Sequence, residues 1–327
     1  MKTESISYVF IVGNSRSGTT MLSRVFGNHP EVYAFNELHF FGNLEGRKLN
    51  NADLAKELLD IERSNFLTKV SKDEHWEEVE TMLIDSISQV EVFQQFLFYE
   101  TTINNASVAV CQTPSNVYHL DKILKSFNKV KVINMVRDPR DVLLSQKNKW
   151  KRKFLGANDI PFFELLRARF NYHPYTISKM WNTAVNRGCV NHQNVKTIRF
   201  EDLLQHPENT ILDLCQFIGL SFDSSMLQVA NIGSSNKQDQ GVDYIDSSKI
   251  FKWKKGGLSK AEIIISEKVN RKIINRLGYE KINKTFSLGL IYQFIKFPFH
   301  IFMALLFNLH RMVSVVESIK RRISSEG

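Results

Sequence analysis

The sequence predicts an α/β fold: a P-loop-type parallel β-sheet of about five strands flanked by helices, with a helical lid insertion and a C-terminal helical extension. Three observations lead there. An apolar run ends in a Gly-flanked loop, four further strand-like runs alternate with helical patterns, and a Phe-, Leu- and Ile-rich segment follows the last of them. Strands alternating with helices imply parallel pairing with helices on both faces of the sheet. The expected division is a core domain over 1–285, carrying the lid at 42–105, and an extension over 286–327.

Tyr8 to Val12 are β-branched or aromatic almost without interruption, as a strand buried on both faces should be. The loop Gly13 to Thr20, GNSRSGTT, has the spacing G-x-x-x-x-G-T-T. Two positions without side-chain bulk let its amides wrap an anion, aimed by a helix starting near Thr19. A loop handling ATP would place Lys where Thr19 stands; here the cation is Arg16, inside the loop. A planar guanidinium suits a phosphate that carries a second oxyanion group and is handled without an obligatory metal. The plainer alternative is a Gly-rich turn with no ligand.

Val32 to Phe35 form the second run, followed by Glu37 and His39 in NHPEVYAFNELHFF. ADLAKELLDIERSNFL and HWEEVETMLIDSIS read as amphipathic helices, either a lid over the sheet's carboxyl edge or a simple cover of the sheet. The third run, Ser107 to Cys111, leads into CQTPSN, and the fourth, Val130 to Val136, leads into Arg137. Asp138 and Pro139 start a helix that brings Ser145 back, nearly two turns later, to the face of Arg137. Arg137 and Ser145 could grip one phosphate at the strand ends, or the motif could be only a cap with surface ion pairs. The basic run KNKWKRK, residues 147 to 153, reads as a solvated helix face or a steering patch for an acidic partner. Val195 to Phe200 form the fifth run. In FKWKKGGLSKAE, Lys252, Lys254 and Lys255 surround Trp253, Gly256 and Gly257 permit a close wrap, and Ser259 with Glu262 makes a capping box. That segment reads as a flap with cationic teeth, or as a solvated basic loop.

At 327 residues and 43% hydrophobic, the chain can bury a full core. The formal charge of +9 and pI near 9.3 favour anionic partners. Cys111, Cys189 and Cys215 lack metal-ligand spacing and suit buried thiols in a reducing compartment, and no metal site is expected. MKTESISYVF holds no hydrophobic signal run, so a cytoplasmic domain is expected.

These motifs, in this order, resemble the sulfotransferases that use 3'-phosphoadenosine 5'-phosphosulfate (PAPS), in particular the tyrosylprotein and bacterial branch, over roughly residues 7 to 280. The resemblance implies that Arg16, Ser17, Gly18, Thr19 and Thr20 bind the 5'-phosphosulfate. It implies that Arg137, Ser145, Lys254, Lys255 and Gly256 hold the 3'-phosphate. IRFEDLLQHPENTILDLCQFIGLSFD is similar to the family's acidic strand end and Pro-started helix. HPEVYAFNE resembles the segment carrying the catalytic glutamate, which makes Glu37 the expected base, with His39 as the second candidate. PAPS is then the co-substrate and the acceptor is a hydroxyl or amine, on a glycan, a lipid or a small molecule; no nucleic acid partner is expected. One departure stands out. Gln112 lies where many relatives place a lysine, so a slower enzyme, a cation relocated to Lys69, Lys72 or the flap, and a silent PAPS-binding protein all stay open; a nucleotide kinase is the weakest alternative.

From Phe286 to Val316 the chain is apolar but interrupted by Lys296, Pro298 and His300, which leaves no clean run of about 20 residues for a spanning helix. Lys296, His300, Asn308, Arg311, Ser314 and Ser318 fall at helical spacing, as in an amphipathic helix with a narrow polar stripe. With Lys320, Arg321 and Arg322, residues 286–322 could lie peripherally on an anionic membrane, or pack on protein.

Overall fold

The computed structural model describes residues 6–63, 78–80, 88–151, 154–155, 158–230, 242–244, 247–282 and 286–309. The helices, in chain order, are α1 (Thr19–Gly27), α2 (Asn51–Arg63), α3 (Gln89–Ile103), α4 (Leu120–Ser126), α5 (Pro139–Lys147), α6 (Phe162–Phe170), α7 (Pro174–Gly188), α8 (Phe200–Gln205), α9 (Pro207–Ile218), α10 (Lys260–Val269), α11 (Arg271–Arg276) and α12 (Gly289–Leu306). The chain forms two compact units that interleave in sequence: residues 1–135, 188–231 and 240–245 make the first, and 136–187, 232–239 and 246–327 the second.

The first unit is built on a five-stranded parallel sheet of β1 (Ser7–Gly13), β2 (Val32–Phe35), β3 (Val108–Gln112), β4 (Val130–Val136) and β5 (Val195–Arg199), in the order β2-β3-β1-β4-β5. All five expected runs form strands, with ends displaced by at most one residue. Phe10, Ile11 and Val12 are wholly buried, because central β1 has a strand on each side and apolar cover on both faces. α1 buries Leu22, Val25 and Phe26, the apolar stripe expected of a helix lying on a sheet.

Within residues 42–105, expected as a lid or as a cover of the sheet, α2 and α3 pack on each other, and α3 packs on β2 and β3. Leu54, Leu58 and Leu59 from α2 and Val92, Phe93, Phe96 and Leu97 from α3 are buried there. Phe40 stacks on Phe93 at 4.1 Å between ring centroids, and Phe10 meets Phe127 edge-on at 5.0 Å. Lys69 and Lys72 lie outside the described residues.

In the second unit, α12 is one unbroken helix of 18 residues that carries Pro298 inside it. Lys296, Pro298 and His300 break the apolar run, as the sequence suggests, without breaking the helix. Among the described residues it is the one helix long and apolar enough to cross a membrane. It packs on α10 and α6, and its inner seam is polar and aromatic. His173 Nδ1 accepts from the Tyr175 N–H (3.3 Å), which leaves Nε2 to donate to the Gln293 carbonyl (3.1 Å). Burial, opposed by that bond, depresses the His173 pKa to about 4. A base whose folded pKa lies below its unfolded value near 6.5 stabilises the fold above pH 6.5, and that contribution is lost as pH falls through about 4. The thermal midpoint, followed by circular dichroism, should therefore drop more between pH 6.5 and 4 in the native chain than in His173→Gln; parallel drops would place the acid sensitivity elsewhere.

Candidate active site

The Gly13 to Thr20 loop leaves the carboxyl end of β1 and runs into α1. The Ser17 N–H donates to the Asn14 carbonyl at 3.2 Å and tightens the turn. Arg16 stands at φ 75°, a left-handed conformation that costs a residue with a Cβ about 1–2 kcal/mol. Such strain persists only where the surroundings enforce it, and it accumulates at ligand clamps. Gly18, at φ 96°, precedes α1 without any side-chain cap, so the first-turn amides have no side chain to satisfy them. A Cβ at Gly18 would lie 2.2 Å from the Phe200 ring, so glycine is required by packing as well as by φ. The Ser17 hydroxyl is buried and has no hydrogen-bond partner among the described residues. An orphaned hydroxyl beside uncapped helix amides and a strained arginine fits the tetrahedral anion that the motif implies.

Parallel strands end at one edge, and the register explains what gathers there. Ile11 of β1 pairs with Gln112 of β3, and Cys111 pairs with Phe35 of β2, two residues before Glu37. Buried Gln112 uses its amide nitrogen twice, donating to Thr19 Oγ1 (3.0 Å) and to Glu37 Oε1 (3.1 Å). His39, itself left-handed at φ 51°, places Nε2 3.3 Å from Glu37 Oε2. Partial desolvation raises the pKa of the exposed Glu37, but the hydrogen bonds from His39 and Gln112, with the charges of His39 and Arg16, outweigh it and hold the carboxyl below its ordinary range. Glu62 of α2 fastens the segment before Glu37, accepting from the Asn36 N–H and the Tyr33 hydroxyl, each at 3.0 Å. Burial pushes Glu62 itself up to about 7.

Gln112→Met keeps the volume and removes both donors. A hydrogen bond to a charged group contributes about 1.5–3 kcal/mol, so turnover should fall roughly 10- to 100-fold while the donor KM changes little. Steady-state kinetics check this, and an unchanged kcat would reduce Gln112 to packing.

The second cluster lies in the second unit. Arg137 follows β4; its Nη2 donates to the Lys249 carbonyl (2.8 Å) and stands 3.8 Å from Asp141, while its own carbonyl accepts from Trp181 Nε1 (3.0 Å). Asp138 caps α5 through the Arg140 N–H (2.8 Å) and is joined to the Arg140 side chain at two points. Arg140 is buried between Asp138 and Glu267, with its guanidinium 3.9 Å from the Trp253 ring centroid. Trp253 in turn donates from Nε1 to Asp138 (3.1 Å) and from its backbone N–H to Asp141 (3.0 Å). The flap is thus fastened to the start of α5 by its tryptophan, which leaves the lysines on the outside. Lys254 pairs with Glu280 at 2.6 Å, and Lys255 and Gly256 are exposed. Gly257, at φ 90°, lies where a Cβ would be 2.7 Å from Leu144. The expected capping box between Ser259 and Glu262 is formed. Ser145 is half-buried on α5.

A family model described as the sulfotransferase family matches residues 8–224. The chain belongs to the sulfotransferase family. Solved structures with a similar fold include the sulfotransferase domain of the Synechococcus PCC 7002 olefin synthase, at 18% identity and a TM-score of 0.53, covering 86% of this chain and 98% of that one. Another is the sulfotransferase domain from the curacin biosynthetic pathway, at 19% identity and a TM-score of 0.55, covering 84% of this chain and 99% of that one. A comparison with curated proteins finds no match. Both sulfotransferase structures are matched over almost their whole length, so the shared fold extends past the region of the family model.

Arg16, Ser17, Gly18, Thr19, Glu37 and His39 fall in one unit with Gln112, whereas Arg137, Ser145, Lys254, Lys255 and Gly256 fall in the other. Thr20 is exposed at the start of α1, while Thr19 is buried on Gln112. The sequence did not reveal Phe200 as the wall behind Gly18, Glu62 as the clamp before Glu37, or Arg140 as a buried partner of Trp253. A Phe closing the fifth strand run and a Trp amid lysines were the available signals, and neither named its partner.

Proposed function

We propose that this protein transfers a sulfuryl group from PAPS to a hydroxyl, or an amine, of an acceptor that is a glycan, a lipid or a small molecule. The observation that carries this reading is the tether from Glu37 through Gln112 to Thr19, which fastens a carboxylate to the anion loop by two hydrogen bonds. Arg16, Ser17, Gly18, Thr19 and Thr20 take the 5'-phosphosulfate. Arg137, Ser145, Lys254, Lys255 and Gly256 take the 3'-phosphate, as the family resemblance implies. Glu37 accepts the acceptor's proton as its oxygen bonds to sulfur and the bond from sulfur to the 5'-phosphate oxygen breaks. A sulfuryl group in flight carries less negative charge than a phosphoryl group, so Arg16 and the loop amides suffice to stabilise the departing phosphate. His39 orients Glu37, or serves as base in its place.

The test is incubation with sulfur-labelled PAPS and extracted cellular glycans and lipids. Label appearing in an acceptor fraction, and absent with Glu37→Gln, supports the reading. A second reading, a silent PAPS-binding protein, is favoured by one observation: both amide hydrogens of Gln112 are engaged, and it brings no positive charge to the transferring group. Donor bound without label transfer would establish it, and magnesium-dependent ATP turnover would point instead to a kinase.

A further inference from the structure

α12 presents its polarity the wrong way round for a helix packed on a soluble core. The residues that face the second unit include Gln293, Phe297, His300, Ala304 and Asn308, which recur at three- and four-residue spacing on one side. Their contacts run the length of the helix. The Gln293 carbonyl accepts from His173, and the Phe297 ring lies 4.8 Å from His173 and 5.2 Å from Tyr175. Asn308, just past the end of α12, accepts from Arg167 (3.3 Å) and donates to Asn171 (2.8 Å). The opposite side carries Leu288, Ile291, Ile295, Phe299, Phe302 and Leu306, with Leu288 77% and Ile295 73% exposed. Phe162 of α6 is 73% exposed as well, and its neighbour Phe163 touches Phe307 at 5.2 Å, so the apolar surface continues onto α6. A soluble helix buries its apolar stripe and wets its polar one. An exposed apolar patch of this extent marks an interaction surface.

We propose that this face seats the protein in one leaflet of an anionic lipid bilayer, with α12 lying in the membrane plane. Three observations select a bilayer over another apolar partner. Rows of Phe, Leu and Ile with no polar group among them offer a protein partner nothing to read, whereas acyl chains require only apolar contact. Lys296 stands at the flank of the helix with its ammonium 4.0 Å from the Tyr292 ring centroid, a cation and a phenol at the boundary where headgroups lie. Residues 286 to 309 carry Lys296 and no Asp or Glu, and the sequence that follows to residue 327 is net basic, with Arg311, Lys320, Arg321 and Arg322 against Glu317 and Glu326. Arg311, Ser314, Ser318, Lys320, Arg321 and Arg322 themselves lie outside the described residues. The in-plane orientation follows from the seam. A helix of 18 residues is long enough to cross the hydrocarbon core, but this one is tied to polar groups of α6 and α7 near both ends. Crossing the bilayer would drag Arg167, Asn171 and His173 into hydrocarbon.

The full-length chain is mixed with vesicles of phosphatidylcholine alone and of phosphatidylcholine with 30% (roughly) phosphatidylglycerol, and floated on a density gradient. The native chain should float with the anionic vesicles at least about tenfold more than the double variant Ile295→Asp/Phe302→Asp, whose changes lie on the exposed face and should leave the circular dichroism melt unaltered. Phe162→Asp, on a different helix, should weaken flotation in the same direction. Alkaline carbonate should strip the protein from cell membranes. The proposal fails if the native chain stays at the bottom of the gradient with both vesicles. It fails too if the double variant floats as well as the native chain, or if carbonate leaves the protein in the membrane. A dimer in detergent-free light scattering that the double variant dissociates, without lipid binding by the monomer, would assign the face to a second copy and also overturn it. None of these readouts depends on the proposed chemistry, so failure of one reading leaves the other open to its own test.

Discussion

Glu37→Gln should lower sulfuryl transfer by about 10²- to 10⁴-fold, the range for loss of a positioned general base, with PAPS affinity unchanged within about threefold. The substitution keeps the shape and the hydrogen bond from Gln112 Nε2 to an oxygen, and it removes only the capacity to take a proton. The pH dependence refines the expectation. Because Glu37 is held below the ordinary carboxylate range by His39, Gln112 and Arg16 against the opposing effect of desolvation, it stays ionised across neutral pH, and the acid limb of kcat/KM should lie below the ordinary carboxylate range. An acid limb well above the carboxylate range would move the proton-accepting role from Glu37 to His39. Such an outcome would leave Glu37 as the group that orients the ring, since the two already stand 3.3 Å apart.

Arg16→Gly should separate function from stability. Arg16 occupies a left-handed backbone well at φ 75°, which costs about 1–2 kcal/mol for a residue with a Cβ, while glycine enters it freely at an unfolded-state entropy cost of roughly 0.5–1 kcal/mol. Urea unfolding should therefore show stability unchanged or raised by up to about 1 kcal/mol. PAPS affinity should fall roughly 10- to 100-fold, from the loss of charged hydrogen bonds to the donor. Turnover should fall by about 10²- to 10³-fold, as for one lost oxyanion-stabilising group. Arg16→Lys should rescue little of this, because a point charge does not reproduce the planar fork. Unchanged affinity and turnover in Arg16→Gly would remove the anion loop from the mechanism. Destabilisation by several kcal/mol would instead show that the arginine is held in place for structural reasons.

Much of this protein was legible one segment at a time. An unbroken apolar run such as Tyr8 to Val12 is best satisfied between two other strands, and strand runs alternating with helical patterns imply parallel pairing, so the sheet follows from local composition and order. The same holds for Gly13 to Thr20, where two glycines and an uncapped helix start write an anion loop into eight consecutive residues, and for the Ser259 to Glu262 box. Gln112 could be read as a missing charge, but not as a tether, because its partners Thr19 and Glu37 are 93 and 75 residues away. Only the register of β1 beside β3, and of β3 beside β2, brings them together.

Long-range packing likewise decided the flap and the tail. Trp253 among lysines reads as part of a flap or of a solvated loop until Asp138 and Asp141 are seen to accept its two N–H groups. α12 reads as an interrupted apolar stretch until its polar residues are found facing inward, onto His173, Arg167 and Asn171, with the phenylalanines and leucines left outside. A sequence specifies the period of a helix and the residues on each of its sides. Which side meets the protein depends on the partners that distant segments supply, since a buried polar group is stable only where another chain segment satisfies it.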